Sequence, residues 1–160
     1  MTGWENFFLA EAGASAALVG LVFVGISINL AKIVGSPGLP GRAFEALFVL
    51  AVVLVVSSLL LVPGQSLMLI GAEVLVVGLI DWVTLVGLQI SFLRVLDPRR
   101  RPQFVVRVIL GQTATLPFII TGAVVLIQGS SGLYWIVPAV IFSLIVALLD
   151  AWVLVIEINR

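Results

Sequence analysis

Residues 6–32 read NFFLAEAGASAALVGLVFVGISINLAK. No proline interrupts the stretch, and Glu11 and Lys32 are its only charges. About 20 apolar residues in helical form cross a bilayer core, so a membrane span is predicted here, and with it the class of the chain. The span carries two faces. Gly13, Ala17, Gly20, Val24, Ser27 and Ala31 step by four and three and are mostly small, the kind of surface that lets helices approach closely in lipid. Glu11, Ser15, Leu18, Val22, Gly25, Asn29 and Lys32 lie opposite, because residues two apart sit about 200° apart around a helix. The first face is expected to pack on other helices through Gly13, Ala17, Gly20 and Ser27. The second opens on an acid, closes on a base and is apolar between, so it is expected to pair with its own copies or to line a pathway.

The same character extends outward over all 160 residues: 62% are hydrophobic, 10% are charged, and the mean hydropathy is +1.31. A globular domain carries about 25% charged residues. Within lipid every backbone polar group needs an internal partner, which leaves helices or a closed barrel. The apolar runs are continuous rather than alternating, which favours helices. Further spans are expected at about 42–62, 66–93, 104–128 and 133–158. They are separated by VGSPGLPGR (34–42), PGQ (63–65), RVLDPRRRPQ (94–103) and GSSG (129–132). The fold class is therefore all-α, an integral membrane bundle of five transmembrane helices forming a single domain over 1–160.

Orientation follows from the basic residues. Five spans put Lys32, Arg42, Arg94, Arg99, Arg100, Arg101, Arg107 and Arg160 on one side. The stub before the first span and the PGQ and GSSG turns hold none. Lys and Arg accumulate on the cytoplasmic side, which predicts an N-terminus outside and a cytoplasmic C-terminus. Trp4, Tyr134 and Trp135 then share the outer interface, where amphipathic rings belong. The first run lacks a basic leader and is too long for a signal peptide, so residues 1–33 are expected to stay as a permanent helix. Lys32 is the only lysine, and Ala, Val and Gly abound, a composition associated with GC-rich bacterial genomes. A bacterial inner membrane is the expected location.

The chain has no Cys and no His, which removes thiol chemistry, disulfides and imidazole ligands or bases. Its net charge is zero, so nothing points to nucleic acid. There is no Ser–His pair, no metal-ligand cluster and no phosphate loop. Gly78-Leu79-Ile80-Asp81 only half resembles the GxGD of intramembrane aspartyl proteases, and no YD partner occurs. No enzymatic activity, cofactor or metal is expected.

Ionisable groups at membrane depth mark functional sites by default. Glu11, Glu73, Asp81 and Asp150 form a ladder of acids from the outer to the inner half, suited to cations or protons. The expected polar partners are Thr84, Arg107, Gln112 and Glu157. Arg107 can snorkel toward Asp150 and neutralise it, and Thr84 or Gln112 can bond Asp81. Ser143, Asp150 and Glu157 recur every seven residues as a seam, and Arg107, Gly111, Thr115, Phe118 and Gly122 share another face. GLIDWVTLV (78–86) echoes ALLDAWVLV (147–155) and aligns Asp81 with Asp150. Arg99, Arg100 and Arg101 read as a topology determinant that also holds anionic lipid headgroups.

Two functions stay open. One is a small homo-oligomeric membrane protein that passes cations or protons by these carboxylates. The other is a non-transporting structural or regulatory subunit with a membrane protein partner. If copies of the first helix ringed an axis, Glu11 would form the outer mouth, Leu18 and Val22 a constriction, and Asn29 and Lys32 the inner mouth. That order of acid, apolar and basic rings resembles the pore helix of Orai-type calcium channels, with the chain running the other way. The segments AGASAALVGLVFVGISINL (12–30) and LVPGQS (61–66) resemble a family of small actinobacterial membrane proteins, many of which carry the label of modulators of the membrane protease FtsH. The resemblance implies a multi-pass membrane protein that regulates such a protease, and it transfers no site residue.

Overall fold

The computed structural model describes residues 3–36, 38–94 and 101–158, with side chains over 104–156 in the last of these stretches. The helices are α1 (Glu5–Ile28), α2 (Leu30–Gly35), α3 (Leu39–Leu60), α4 (Leu67–Leu93), α5 (Arg101–Gln128) and α6 (Ile136–Ile158), with a 3-10 turn over Gly129–Trp135. No strand occurs among the described residues. Four stretches are long and apolar enough to cross a membrane: Glu5–Ile28, Leu39–Leu60, Leu67–Leu93 and Phe104–Ile156, the last of which contains both α5 and α6.

The helix ends follow local chemistry, and several differ from the expected boundaries. The first run is not one helix to residue 32 but breaks at Asn29. The Asn29 side chain donates Nδ2–H to the Gly25 carbonyl at 3.0 Å, the acceptor its own backbone N–H would use in an α-helix. That N–H turns instead to Ile26 O at 3.1 Å, a tightened last turn. Helix α3 starts three residues before its expected Arg42, because Pro40 is tolerated in a first helical turn and Gly38 supplies the left-handed entry at φ 86°. Ser66 caps α4 by accepting the Leu69 N–H at 3.2 Å. The stretch from Gly129 to Trp135 is 3-10 rather than the first turn of the last span.

Helices α3, α4, α5 and α6 touch in sequence and close a ring, α3 against α4, α4 against α5, α5 against α6, and α6 back against α3. Helix α1 lies outside the ring, chiefly on α3. The central position therefore belongs to α3, not to the first span. The turn end of the bundle collects Phe8, Val56, Leu60, Ile70, Phe118, Val125, Leu133 and Ile136 into the main core. Trp4 meets Tyr134 there edge to face at 5.2 Å. At the opposite, basic end Ile33, Leu39, Ala43 and Leu154 pack together.

The closest helix contacts lie between α4 and α5. A Cβ on Gly122 would stand 2.5 Å from the Leu75 backbone nitrogen, and one on Gly78 would stand 3.0 Å from that of Ile119. The small face of α1 has no such role within the chain. Gly13, Ala17, Gly20 and Ser27 are exposed, and a Cβ on Gly13 or Gly20 would meet nothing within 4 Å. It is the other face of α1 that packs inward. Ser15 is fully buried, and Leu18 and Val22 cover Val49, Leu50 and Ala147. In this packing Ser15, Leu18 and Val22 of that face lie inward, Leu18 and Val22 against α3 and α6, while Gly25 is exposed.

Candidate functional site

Each helix of the ring sends one charged side chain inward toward the basic half. Glu45 comes from α3 and is 1% exposed. It stands on the face whose next turns are the buried Val49, Val52, Val56 and Leu60, so the packing of α3 carries it inside. Asp81 from α4 is also 1% exposed, and Asp150 from α6 is 8% exposed. Both aspartates sit fourteen residues past the first residue of their helices, Leu67 and Ile136. Arg107 comes from α5 and reaches across the ring, where its Nη2 donates to Glu45 Oε2 in an ion pair. The guanidinium lies over the Phe92 ring at 5.3 Å from its centroid, and Phe92 stacks on Phe104 at 5.9 Å.

A cavity of about 140 Å³ opens beside the pair, with Arg42, Glu45, Arg107 and Asp150 as its charged lining and Val106, Leu110, Val146, Leu149 and Val153 as its apolar walls. Glu45 and Asp150 share this cavity, with the Arg42 and Arg107 side chains beside them. Next to the cluster a polar chain joins α4 to α5. Trp82 Nε1–H donates to Gln112 Oε1 at 2.8 Å, and Gln112 Nε2–H donates to Gln89 Oε1 at 3.5 Å. Gly111 makes room for it, since a Cβ there would lie 2.9 Å from Gln89 Nε2.

The network is incompletely satisfied. Glu45 Oε1, Asp81 Oδ1, Arg107 Nε and Gln89 Nε2 are buried without a hydrogen-bond partner. Buried polar atoms are nearly always paired, and a buried ion pair gives net stability only when its remaining polar atoms are satisfied as well. The cluster is thus a poor device for holding helices together. It presents an unpaired acceptor on Glu45 and the Arg107 cation beside a cavity.

The four acids of the expected ladder separate in the structure. Asp81 and Asp150 join the ring interior. Glu73 lies eight residues before Asp81 on α4, about 12 Å along the axis at 1.5 Å per residue, and accepts a hydrogen bond from Gln65 Nε2 at 2.9 Å. Glu11 is partly buried in the first half of α1, with Oε2 lacking a partner. The expected partners also change. Arg107 pairs with Glu45 rather than with Asp150. Thr84 donates to its own helix at Ile80 O, 2.8 Å away, instead of to Asp81. Gln112 engages Trp82 and Gln89, which leaves Asp81 Oδ1 unpaired. Ser143 is buried and donates to Ala114 O at 3.2 Å, tying α6 to α5. The Glu157 and Arg101 side chains and the whole of Arg99 and Arg100 lie outside the described residues.

Sequence reasoning missed Glu45, the most connected member of the site. Its three-residue spacing from Arg42 looks like a solvated pair at a membrane surface. The signal that could have found it is the buried stripe Val49, Val52, Val56 and Leu60, whose backward extension by four residues falls on Glu45.

Compared with known proteins, the chain matches no family model, no curated protein and no solved structure.

Proposed function

We propose that this chain is an integral membrane protein that passes protons or cations through the interior of its own helix ring, using Glu45, Asp81 and Asp150 with Arg107 among them. The observation that carries the reading is that each of α3, α4, α5 and α6 turns one charged group inward, Glu45, Asp81 and Asp150 buried and Arg107 nearly so, with acceptors on Glu45 and Asp81 left unpaired. Ionisable groups are retained at such depth where they serve a pathway or a relay. The orientation that goes with this reading places the basic end in the cytoplasm and the aromatic turn end outside, in a bacterial inner membrane, with copies associating in the bilayer. The test is current or ion uptake into vesicles carrying the purified protein under an imposed potential. Asp81→Asn is expected to abolish it while expression and assembly persist, and equal flux in the variant removes Asp81 from the path.

One observation favours a second reading, a non-transporting structural or regulatory subunit such as a modulator of a membrane protease. The Trp82–Gln112–Gln89 chain fastens α4 to α5, which suits a rigid scaffold. Under that reading no ion moves, and Gln112→Leu lowers unfolding resistance without any flux to lose.

A further inference from the structure

We propose that the cavity between α3, α5 and α6 binds a zwitterionic head group carrying a primary ammonium and a phosphate, the head of an aminophospholipid. Such a site stands apart from the transport reading and needs no ion to move. Four charged side chains line the cavity: Arg42 and Glu45 from α3, Arg107 from α5 and Asp150 from α6. Glu45 and Asp150 are both buried, so the charged lining is built into the bundle and is not a solvated rim.

The charges of the lining sum to zero. A purely basic pocket between membrane helices suits an anionic lipid. Here a lone anion would meet two carboxylates, and a lone cation would meet two guanidinium groups. A ligand with one charge of each sign meets both kinds of partner. Hydrogen-bonding capacity points the same way. Among the lining side chains, Glu45 Oε1 is a buried acceptor without a partner, and Arg107 Nε is a buried donor without one. Arg42 and Asp150 have no ion-pair partner among the described residues. A carboxylate only accepts and a guanidinium only donates, so the lining asks for N–H donors and for oxygen acceptors at once. A primary ammonium brings three donors, and phosphate oxygens are strong acceptors for arginine.

Size and access point to a lipid as the source. The cavity holds about 140 Å³, below the roughly 300–1,000 Å³ of pockets that enclose whole small molecules. It has room for a head group and not for its chains. Its walls include Val106 on α5 and Leu149 on α6, both exposed, so its rim lies on the outer surface of two membrane spans, where acyl chains run. Glu45 and Arg107 each stand six residues past the first residue of their helices, Leu39 and Arg101. At 1.5 Å per residue that is about 9 Å from the basic end, which keeps the site within one leaflet.

The test is native mass spectrometry of the full chain released from mixed micelles holding equal amounts of phosphatidylethanolamine, phosphatidylcholine and phosphatidylglycerol with the same chains. Phosphatidylethanolamine is expected to bind about tenfold or more above each of the others, the effect of one hydrogen bond to a charged group. Phosphatidylcholine keeps both charges but has no N–H to donate, and phosphatidylglycerol keeps the phosphate without an ammonium. Arg42→Gln and Asp150→Asn should each lose that preference, with folding checked by the unfolding midpoint. Glu73→Gln, on the Gln65-bonded acid outside the cavity, should keep it. Equal binding of phosphatidylethanolamine and phosphatidylcholine overturns recognition of the ammonium. Binding of phosphatidylglycerol above phosphatidylethanolamine overturns the zwitterion and leaves a surface for anionic lipid. Full displacement by phosphoethanolamine at equal concentration overturns the lipid as source, because the chains then contribute nothing. Undiminished preference in both folded variants overturns the placement in this cavity. No adduct of any lipid overturns the site altogether and leaves the cavity to water. The ranking of the three lipids by the unsubstituted chain decides the matter even where a variant fails to fold, and the transport reading is decided separately, by flux.

Discussion

Arg107 and Glu45 bind each other between α5 and α3 with little solvent around either, their side chains 11% and 2% exposed. Removing one partner of a buried pair leaves the other charge uncompensated, at a cost of about 3–5 kcal/mol, whereas replacing both by apolar residues is often neutral or stabilising. Arg107→Leu should therefore lower the free energy of unfolding in mixed micelles by about 3 kcal/mol. Glu45→Leu combined with Arg107→Leu should recover most of that loss. If the single and double variants are equally unstable, the pair does not act as a unit. At this scale the sequence was only partly legible. Asp81 and Asp150 stand out because each is flanked by apolar turns on both sides within a long apolar run. Glu45 does not, because it sits one turn from Arg42 near the start of its span, where charges are ordinary. Burial decides between those cases, and burial of one face of α3 depends on where α4 and α6 pack.

Between helices, glycines divide into two groups that the sequence presents alike. On α5 the Gly122 position faces the α4 backbone, with no flexible side chain to yield, since the nearest atom to an added Cβ is Leu75 N at 2.5 Å. Gly122→Ala should force α4 and α5 apart and cost about 1–3 kcal/mol, the range for overpacking, read as a lower unfolding midpoint in mixed micelles. On α1 a Cβ at Gly20 has open space, so Gly20→Ala should leave the protomer's unfolding unchanged or raise it slightly, since alanine is favoured over glycine in a helix interior by about 1 kcal/mol. A large loss at Gly20 would mean that the small face of α1 is covered in the folded protein. The existence of the helices was legible because each apolar run is long and bounded by Gly and Pro. Which face of each helix turns inward was not. In a chain 62% hydrophobic both faces of a helix are apolar, so periodicity carries little information. On α1 the small face looks like the packing face, while the face bearing Ser15, Leu18 and Val22 is the one that packs.

Across the whole molecule, the basic residues and the rings of Trp4, Tyr134 and Trp135 segregate to opposite ends of the ring. Trp4, Tyr134 and Trp135 gather near the PGQ and 3-10 turns, and Trp4 touches Tyr134 directly. Lys32, Arg42, Arg94 and Arg107 lie toward the other end, where Ile33, Leu39, Ala43 and Leu154 close the bundle. The Trp4–Tyr134 contact also fixes the start of α1 at the aromatic end. Helix α1 therefore runs the full length of the bundle, parallel to α4 and α6 and antiparallel to α3 and α5. Basic residues accumulate on the cytoplasmic side of a membrane, so the orientation proposed above puts the basic end of all five long helices inside. The chain has no cysteine, which makes any introduced thiol a unique label. Ser130→Cys, exposed at the 3-10 turn, and Asn6→Cys, exposed at the start of α1, should both react with a membrane-impermeant maleimide in intact spheroplasts. Ser36→Cys, between α2 and α3 at the basic end, should react only after permeabilisation. The opposite pattern would invert the protein in the membrane. Reaction of Ser130→Cys but not Asn6→Cys from outside would place α1 differently from its contact with Tyr134, and would free the face of α1 that now covers α3.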